Sequence, residues 1–199
     1  MRVAVIGSGK IGGTLGRRWS RAGHDVVFGV RDAEDPRVAA VLEDAPSATA
    51  SSVADAGGGA DVVVFAVPGA ALADVLAGIG PLAHTVIIDA TNNTSGGPMN
   101  GTGAIRAAAP TAQVFRAFNS LGWENFADPA FGNVAADLFY CGPAGDADGM
   151  VAQLIVDVGL RPMRVGDLDQ LDVVDSVTRL WFALSRTHGR HLAFKVLGV

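Results

Sequence analysis

The 199-residue sequence holds a single cysteine, Cys141. Neither an internal disulfide nor a cysteine metal cluster can be built from it. That suits a reducing compartment, and the expected location is the cytoplasm. Lysine is nearly as scarce, with Lys10 and Lys195 against 13 arginines. The net charge is −5 with no basic cluster, which argues against nucleic acid as a partner. No apolar run approaches the ~18 residues of a membrane-spanning helix, so no membrane span is expected. No charged leader followed by an apolar stretch is evident either, because strand-like residues begin at Arg2.

Reactive constellations are missing as well. The four histidines, His24, His84, His188 and His191, are too scattered for a metal site. His188 and His191 lack a third ligand, and no metal is expected. There is no G-x-S-x-G nucleophile elbow. Cys141 falls in an expected strand and reads as a small core residue. The Asp/His pair or helix lysine of a hydroxyacid or sugar dehydrogenase is absent. No catalytic acid, base or nucleophile is therefore assigned.

What the chain has is apolar residues, 49% of the total, enough for one domain with a sizeable core. The first 32 residues organise the rest. Val3 to Ile6 form a continuous apolar run, the mark of a strand covered on both faces. Gly7-Ser8-Gly9-Lys10-Ile11-Gly12 then matches G-x-G-x-x-G between a strand and a helix. The first glycine permits the tight turn, the second lets the backbone approach a pyrophosphate, and the third lets the helix pack on the strand. Backbone N–H groups and the positive end of the helix dipole face the phosphates. Ile11, Leu15, Trp19 and Ala22 recur at helical spacing as the buried face, and Gly23 ends the helix.

A second strand, Asp25 to Gly29, bears on cofactor choice. An NAD enzyme commonly ends this strand with Asp or Glu to bind both ribose hydroxyls; here Gly29, Val30 and Arg31 stand there. A guanidinium can pair with a 2′-phosphate, which favours NADP, although Asp32 could serve NAD if the register slips.

Downstream, strands are expected near 47–50, 61–67, 85–89, 113–118, 137–141 and 161–165. Helices fall between them near 35–44, 51–56, 70–77, 104–109, 123–126 and 146–158. This alternation implies an α/β fold with a doubly wound, mostly parallel sheet of the Rossmann type. Ligands in such sheets lie beyond the carboxyl ends of the strands. Ala66, Val67, Pro68, Thr91 and Asn92 should therefore border the nicotinamide. Ser95 to Gly103 is glycine-rich and reads equally as a mobile lid or a surface loop. Asp167 to Val199 reads as one long helix, loosened at Gly189. Asp172, Asp175, Arg179, Arg186 and Arg190 lie on a solvated face, with Asp175 and Arg179 paired at i, i+4. Trp181, Leu184, His188 and His191 lie on an opposite face that needs the sheet or a second subunit to cover it. The division is a dinucleotide-binding domain over 1–166 and a small C-terminal helical extension over 167–199, which serves packing, dimerisation and the acceptor site.

The polar residues at the expected site, Thr91, Asn92, Asn119 and Ser120, are neutral. A site poor in acids and bases suits nearly pure hydride transfer between two cofactors. RVAVIGSGKIGGTLGRRWSRAGHDVVFGVR, DVVVFAVP, VFRAFNS, ADLFYCGPAGDADG and LIVDVGLRPMRVGDL, with a terminal FKVLG, carry a resemblance over nearly the whole chain. The sequence resembles the F420-dependent NADP oxidoreductases, in which NADPH and the deazaflavin coenzyme F420 exchange a hydride. The resemblance implies a compact Rossmann domain with a small extension, usually a dimer. It implies Ser8, Lys10 and Ile11 at the pyrophosphate and Arg31 at the 2′-phosphate. Val67 and Pro68 would border the nicotinamide, with Asn119 and Ser120 nearby. Two positions depart from the archaeal members: Val30 replaces a serine and Asn119 a histidine. The expected activity is hydride transfer between NADPH and F420 or a flavin-like acceptor. Arg106, Arg116 and Arg186 are candidates to meet the acceptor's acidic tail. The alternatives are an NADPH-dependent reductase of a small imine or carbonyl substrate, and a non-catalytic NADP-binding sensor.

Overall fold

A computed structural model describes residues 1–198. The first strand, β1 (Arg2–Ile6), feeds through the glycine turn into α1 (Lys10–Arg21), which leads to β2 (Asp25–Val30). Next come α2 (Pro36–Glu43), β3 (Ala48–Ser52), α3 (Val53–Ala56), β4 (Val62–Phe65), α4 (Leu72–Gly78) and β5 (Val86–Asp89). They are followed by α5 (Thr102–Ala108), β6 (Gln113–Arg116) and α6 (Trp123–Ala127). A small hairpin, β7 (Ala130–Phe131) and β8 (Val134–Ala135), precedes β9 (Asp137–Cys141), α7 (Asp146–Val158), β10 (Arg161–Gly166) and α8 (Leu171–His188).

The main sheet runs β3-β2-β1-β4-β5-β6-β9-β10. The first six strands are parallel. Strand β9 meets β6 antiparallel through Arg116 and Cys141, and β10 runs parallel to β9. The chain leaves β1 for β2 on one side and comes back as β4 on the other. This reversal opens a crevice beyond the carboxyl ends of β1 and β4. The strands alternate between two cores: Val3, Val5, Val62 and Val64 pack with Leu15, Trp19 and Phe115, whereas Ala4, Ile6, Val63 and Phe65 pack with Leu72 and Ile105. Burial on both faces explains why these strands read as unbroken apolar runs.

Leu15 and Trp19 are fully buried on α1, as expected, while Ile11 is half-buried and Ala22 exposed at the C-cap. Strand β6 stops at Arg116, two residues short of the expected end. Phe118 adopts φ 60 and turns the chain out of the sheet. Its ring lies edge-on between Trp19 (5.4 Å) and Phe126 (5.9 Å).

The C-terminal segment departs most from expectation. The helix α8 covers 171–188, and Gly189 at φ 83 ends it. The chain then doubles back as a strap over 190–198, and Val199 lies outside the described residues. The strap is held by Trp181 Nε1 donating to Leu192 O (2.7 Å), Leu192 N to Asn125 Oδ1 (2.9 Å) and Asp137 N to Phe194 O (2.8 Å). His191 is thereby carried off the helix, its ring stacked on Phe131. Asp175 is not on a solvated face: it is 1% exposed and pairs with Arg116 rather than Arg179. A buried guanidinium needs a counter-charge, and helical spacing alone does not reveal it.

Candidate active site

A cleft of ≈ 640 Å³ lies at the reversal between β1 and β4. It brings together Gly7, Ser8, Gly9, Arg31, Ala66, Val67 and Pro68. The backbone around the turn is closely fitted. Gly7 has φ 103, and a Cβ there would stand 2.9 Å from Ala66 O. A Cβ on Gly12 would stand 2.0 Å from Gly7 O, so α1 can pack this close only with glycine. Gly9, the N-cap of α1, would meet nothing within 4 Å, which leaves its outer side open to a ligand. No side chain caps α1 and its first turn holds no acidic residue. The first N–H groups of a helix have no intrahelical partner, and here they are free to bind an anion.

The β2 end of the cleft carries two arginines, Arg31 and Arg37, and two carboxylates, Asp32 and Asp35. Val30 is buried at the end of β2, and Arg31 and Asp32 are exposed beyond it. Asp32 turns back to accept from Glu34 N (2.9 Å). A second arginine, Arg37, lines the same end and escaped the sequence reading. It chelates Asp35, the N-cap of α2, whose carboxyl accepts from Arg37 N (2.8 Å) and Nε (3.0 Å). Hydrogen bonds from the Arg37 side chain and N–H lower the Asp35 carboxyl to about 2. The signal for Arg37 was present, since it sits two residues beyond an Asp-Pro helix start.

The other expected site residues divide. Lys10, Ile11 and Gly12 lie at the start of α1 but do not line the cleft. The Lys10 ammonium lies over the Trp123 ring, 5.5 Å from its centroid. Thr91, Asn92 and Asn119 belong to a polar network beneath the strand ends. Asp89, fully buried, accepts from Thr91 Oγ1 (2.7 Å), Gly101 N (2.8 Å) and Thr102 Oγ1 (2.8 Å). Arg116, also fully buried, donates to the carbonyls of Asp89 and Thr91, to Asn92 Oδ1 (2.9 Å) and to Asp175 Oδ1 (3.0 Å). Asn92 Nδ2 in turn donates to Asn119 O (2.8 Å). Asn119 Nδ2 donates to Thr178 Oγ1 of α8 (2.7 Å). Arg116 is thus a structural tie with no reach to an acceptor's tail, whereas Arg106 and Arg186 are exposed. Asn119 Oδ1 and Ser120 Oγ are buried without a hydrogen-bond partner.

The loop between β5 and α5 is pinned at both ends. Asn93 N donates to Met99 O (2.9 Å), and Asn100 Nδ2 donates to Asp175 Oδ2 (2.7 Å). Cys141 is fully buried, and burial pushes its thiol up to about 11. Among the described residues, no three His, Cys, Asp or Glu side chains come together to hold a metal ion, and no helix is long and apolar enough to cross a membrane.

A six-strand parallel order with a glycine turn at its reversal and a cleft running from that turn to the end of β2 defines a Rossmann-type dinucleotide-binding protein. A family model described as NADP oxidoreductase coenzyme F420-dependent matches residues 2–93. The chain is 32% identical to the F420-dependent NADP reductase of Methanothermobacter thermautotrophicus, over 93% of this chain and 89% of that one. The chain belongs to the F420-dependent NADP oxidoreductase family. A candidate F420-dependent NADP reductase of Arthrobacter sp. FB24 superposes with a TM-score of 0.85 at 25% identity, covering 98% of this chain and 99% of that one. A hypothetical protein of Sinorhizobium meliloti gives 0.73 at 29% identity, with 85% and 86% covered. The reductive aminase of Aspergillus terreus, in complex with NADPH and ethyl levulinate, shares the fold at 0.65 and 20% identity, but this chain covers 66% of it.

Proposed function

We propose that this chain passes a hydride between NADP(H) and a planar ring acceptor, coenzyme F420 or a flavin. The observation that carries the reading is the end of β2. Buried Val30 replaces the ribose-binding carboxylate, and Arg31 and Arg37 flank the cleft there. The relative that matches 93% of this chain is named for the same pair of coenzymes.

The residues fit a dinucleotide. The open side of Gly9 and the uncapped N-terminus of α1 suit a pyrophosphate, held by the backbone N–H groups of the Ser8–Gly12 turn. Ser8, Lys10 and Ile11 complete that turn, and Arg31 with Arg37 grips the 2′-phosphate. Ala66, Val67 and Pro68 form the wall for the nicotinamide. Thr91, Asn92, Asn119 and Ser120, which lie beneath the strand ends and not on the cleft, support that wall from below. The bound coenzyme supplies the hydride from its nicotinamide ring. The chain's own contribution is to align the rings and exclude water, which requires no catalytic acid or base.

In this reading the protein works in the cytoplasm as a homodimer joined through α8. The test is to follow NADPH oxidation with F420, FMN, FAD and a panel of cyclic imines in turn. Turnover with F420 or a flavin is expected. Tight NADPH binding with no acceptor reduced would make the chain a nucleotide sensor, and turnover of imines alone would make it an imine reductase.

A further inference from the structure

Trp123 does not line the cleft, yet its position is unusual. Residues 117–122 leave β6 fully buried, and Trp123 is the first side chain after them to reach the surface. It lies on the carboxyl edge of the sheet, the edge that carries the glycine turn. Its backbone is held firmly. A Cβ on the neighbouring Gly122 would stand 2.8 Å from the Trp181 ring of α8, so that close approach seats the start of α6 against the C-terminal helix. The ring is covered by the one ammonium of the phosphate-binding turn, Lys10, an exposed residue in the first turn of α1.

Building on the proposed hydride transfer, we propose that the Trp123 indole is the stacking platform for the planar acceptor, and that Lys10 covers it until a dinucleotide binds. A cation over a half-buried ring at the surface is held weakly, whereas an ammonium beside a pyrophosphate makes a stronger charge-assisted bond. A pyrophosphate at the N-terminus of α1 therefore draws Lys10 off the ring. Dinucleotide first and acceptor second is then the order of binding.

Two measurements test this on the intact chain. Trp19 and Trp181 are buried, so acrylamide quenching of tryptophan emission reports chiefly on Trp123. Saturating NADP+ should increase that quenching about twofold in the wild type and leave Lys10→Met unchanged. Equal responses in the two proteins overturn the role of Lys10. Equilibrium titration of F420 and of FMN against NADP+-saturated enzyme tests the platform. Trp123→Ala should weaken the ligand that binds about tenfold and Trp123→Phe about twofold, while the affinity for NADP+ stays within twofold. Unchanged affinity in Trp123→Ala, or no binding of either ligand to the wild type, overturns the platform. Failure of NADP+ itself to bind is a separate result that sinks the proposed hydride transfer.

Discussion

At the end of β2, a carboxylate would hydrogen-bond both ribose hydroxyls of NAD. The structure instead has Val30, 8% exposed, with Arg31 and Arg37 beyond it on the cleft. A hydrogen-bonded ion pair to a phosphate contributes about 1.5–3 kcal/mol. Arg31→Ala should therefore weaken NADPH about 10- to 100-fold and leave NADH within about twofold; equal losses in a calorimetric titration would refute the 2′-phosphate role. The position of Arg31 on the cleft was legible because it directly follows the second strand of the glycine-motif unit. Arg116 was not, because its partners Asp89 and Asp175 lie on β5 and α8, and only the folded chain brings them to it. Cys141 was legible as a core residue. Its thiol is neutral in the folded protein up to about 11 instead of its ordinary 9.0. The unfolded thiol ionises first, so the stability linked to it is full below pH 9 and declines between 9 and 11. The native protein at pH 8 should react with a thiol-specific reagent many times more slowly than the unfolded chain. Prompt modification of the native protein would show that Cys141 is accessible.

Elements built on one apolar period were readable, and α1, β1, β4 and α7 lie close to where their sequences put them. The C-terminal segment was not, because the sequence shows helical spacing on both sides of Gly189 while tertiary contacts bend the chain there. The strap that follows is anchored on Asp137 at the start of β9. Its carboxylate accepts from Arg161 Nε (2.6 Å), Lys195 Nζ (3.3 Å) and Val196 N (2.6 Å). Burial alone would raise this carboxyl, but the hydrogen bonds from Arg161, Val196 and Lys195 outweigh it and hold the group below its ordinary 3.8. A lowered carboxyl stabilises fully above its unfolded value and loses that stabilisation as pH falls through the folded one. Asp137→Asn should cost about 2 kcal/mol at pH 7. The deficit against wild type should shrink below pH 3.8, and hydrogen exchange over 190–198 should speed up first. Uniform exchange across the chain in the variant would mean that the strap is not an independently held element.

For the molecule as a whole, alternating strands and helices dictated a parallel sheet, but not that β9 and β10 would run against the other six strands. That reversal follows from the connection through α6 and the β7–β8 hairpin, whose two-residue strands are too short to leave a pattern. The reversed pair gives α8 a place to pack, with Val174, Asp175, Thr178 and Trp181 turned inward. The other side of α8 is not covered. Val173 and Leu180, 47% and 50% exposed, stand seven residues apart. Half-buried Val177 and Leu184 continue the same stripe, since residues at i, i+4, i+7 and i+11 share one helix face. A self-complementary stripe of this kind is what a two-fold interface uses, and apolar residues left in a row on a surface helix are costly in water. The protein should therefore sediment at twice its 20.3 kDa chain mass. Leu180→Glu would bury two like charges near the dyad, and its mass should fall to that of one chain at micromolar concentration while the helical signal stays. If the variant sediments as the wild type does, α8 is not the interface.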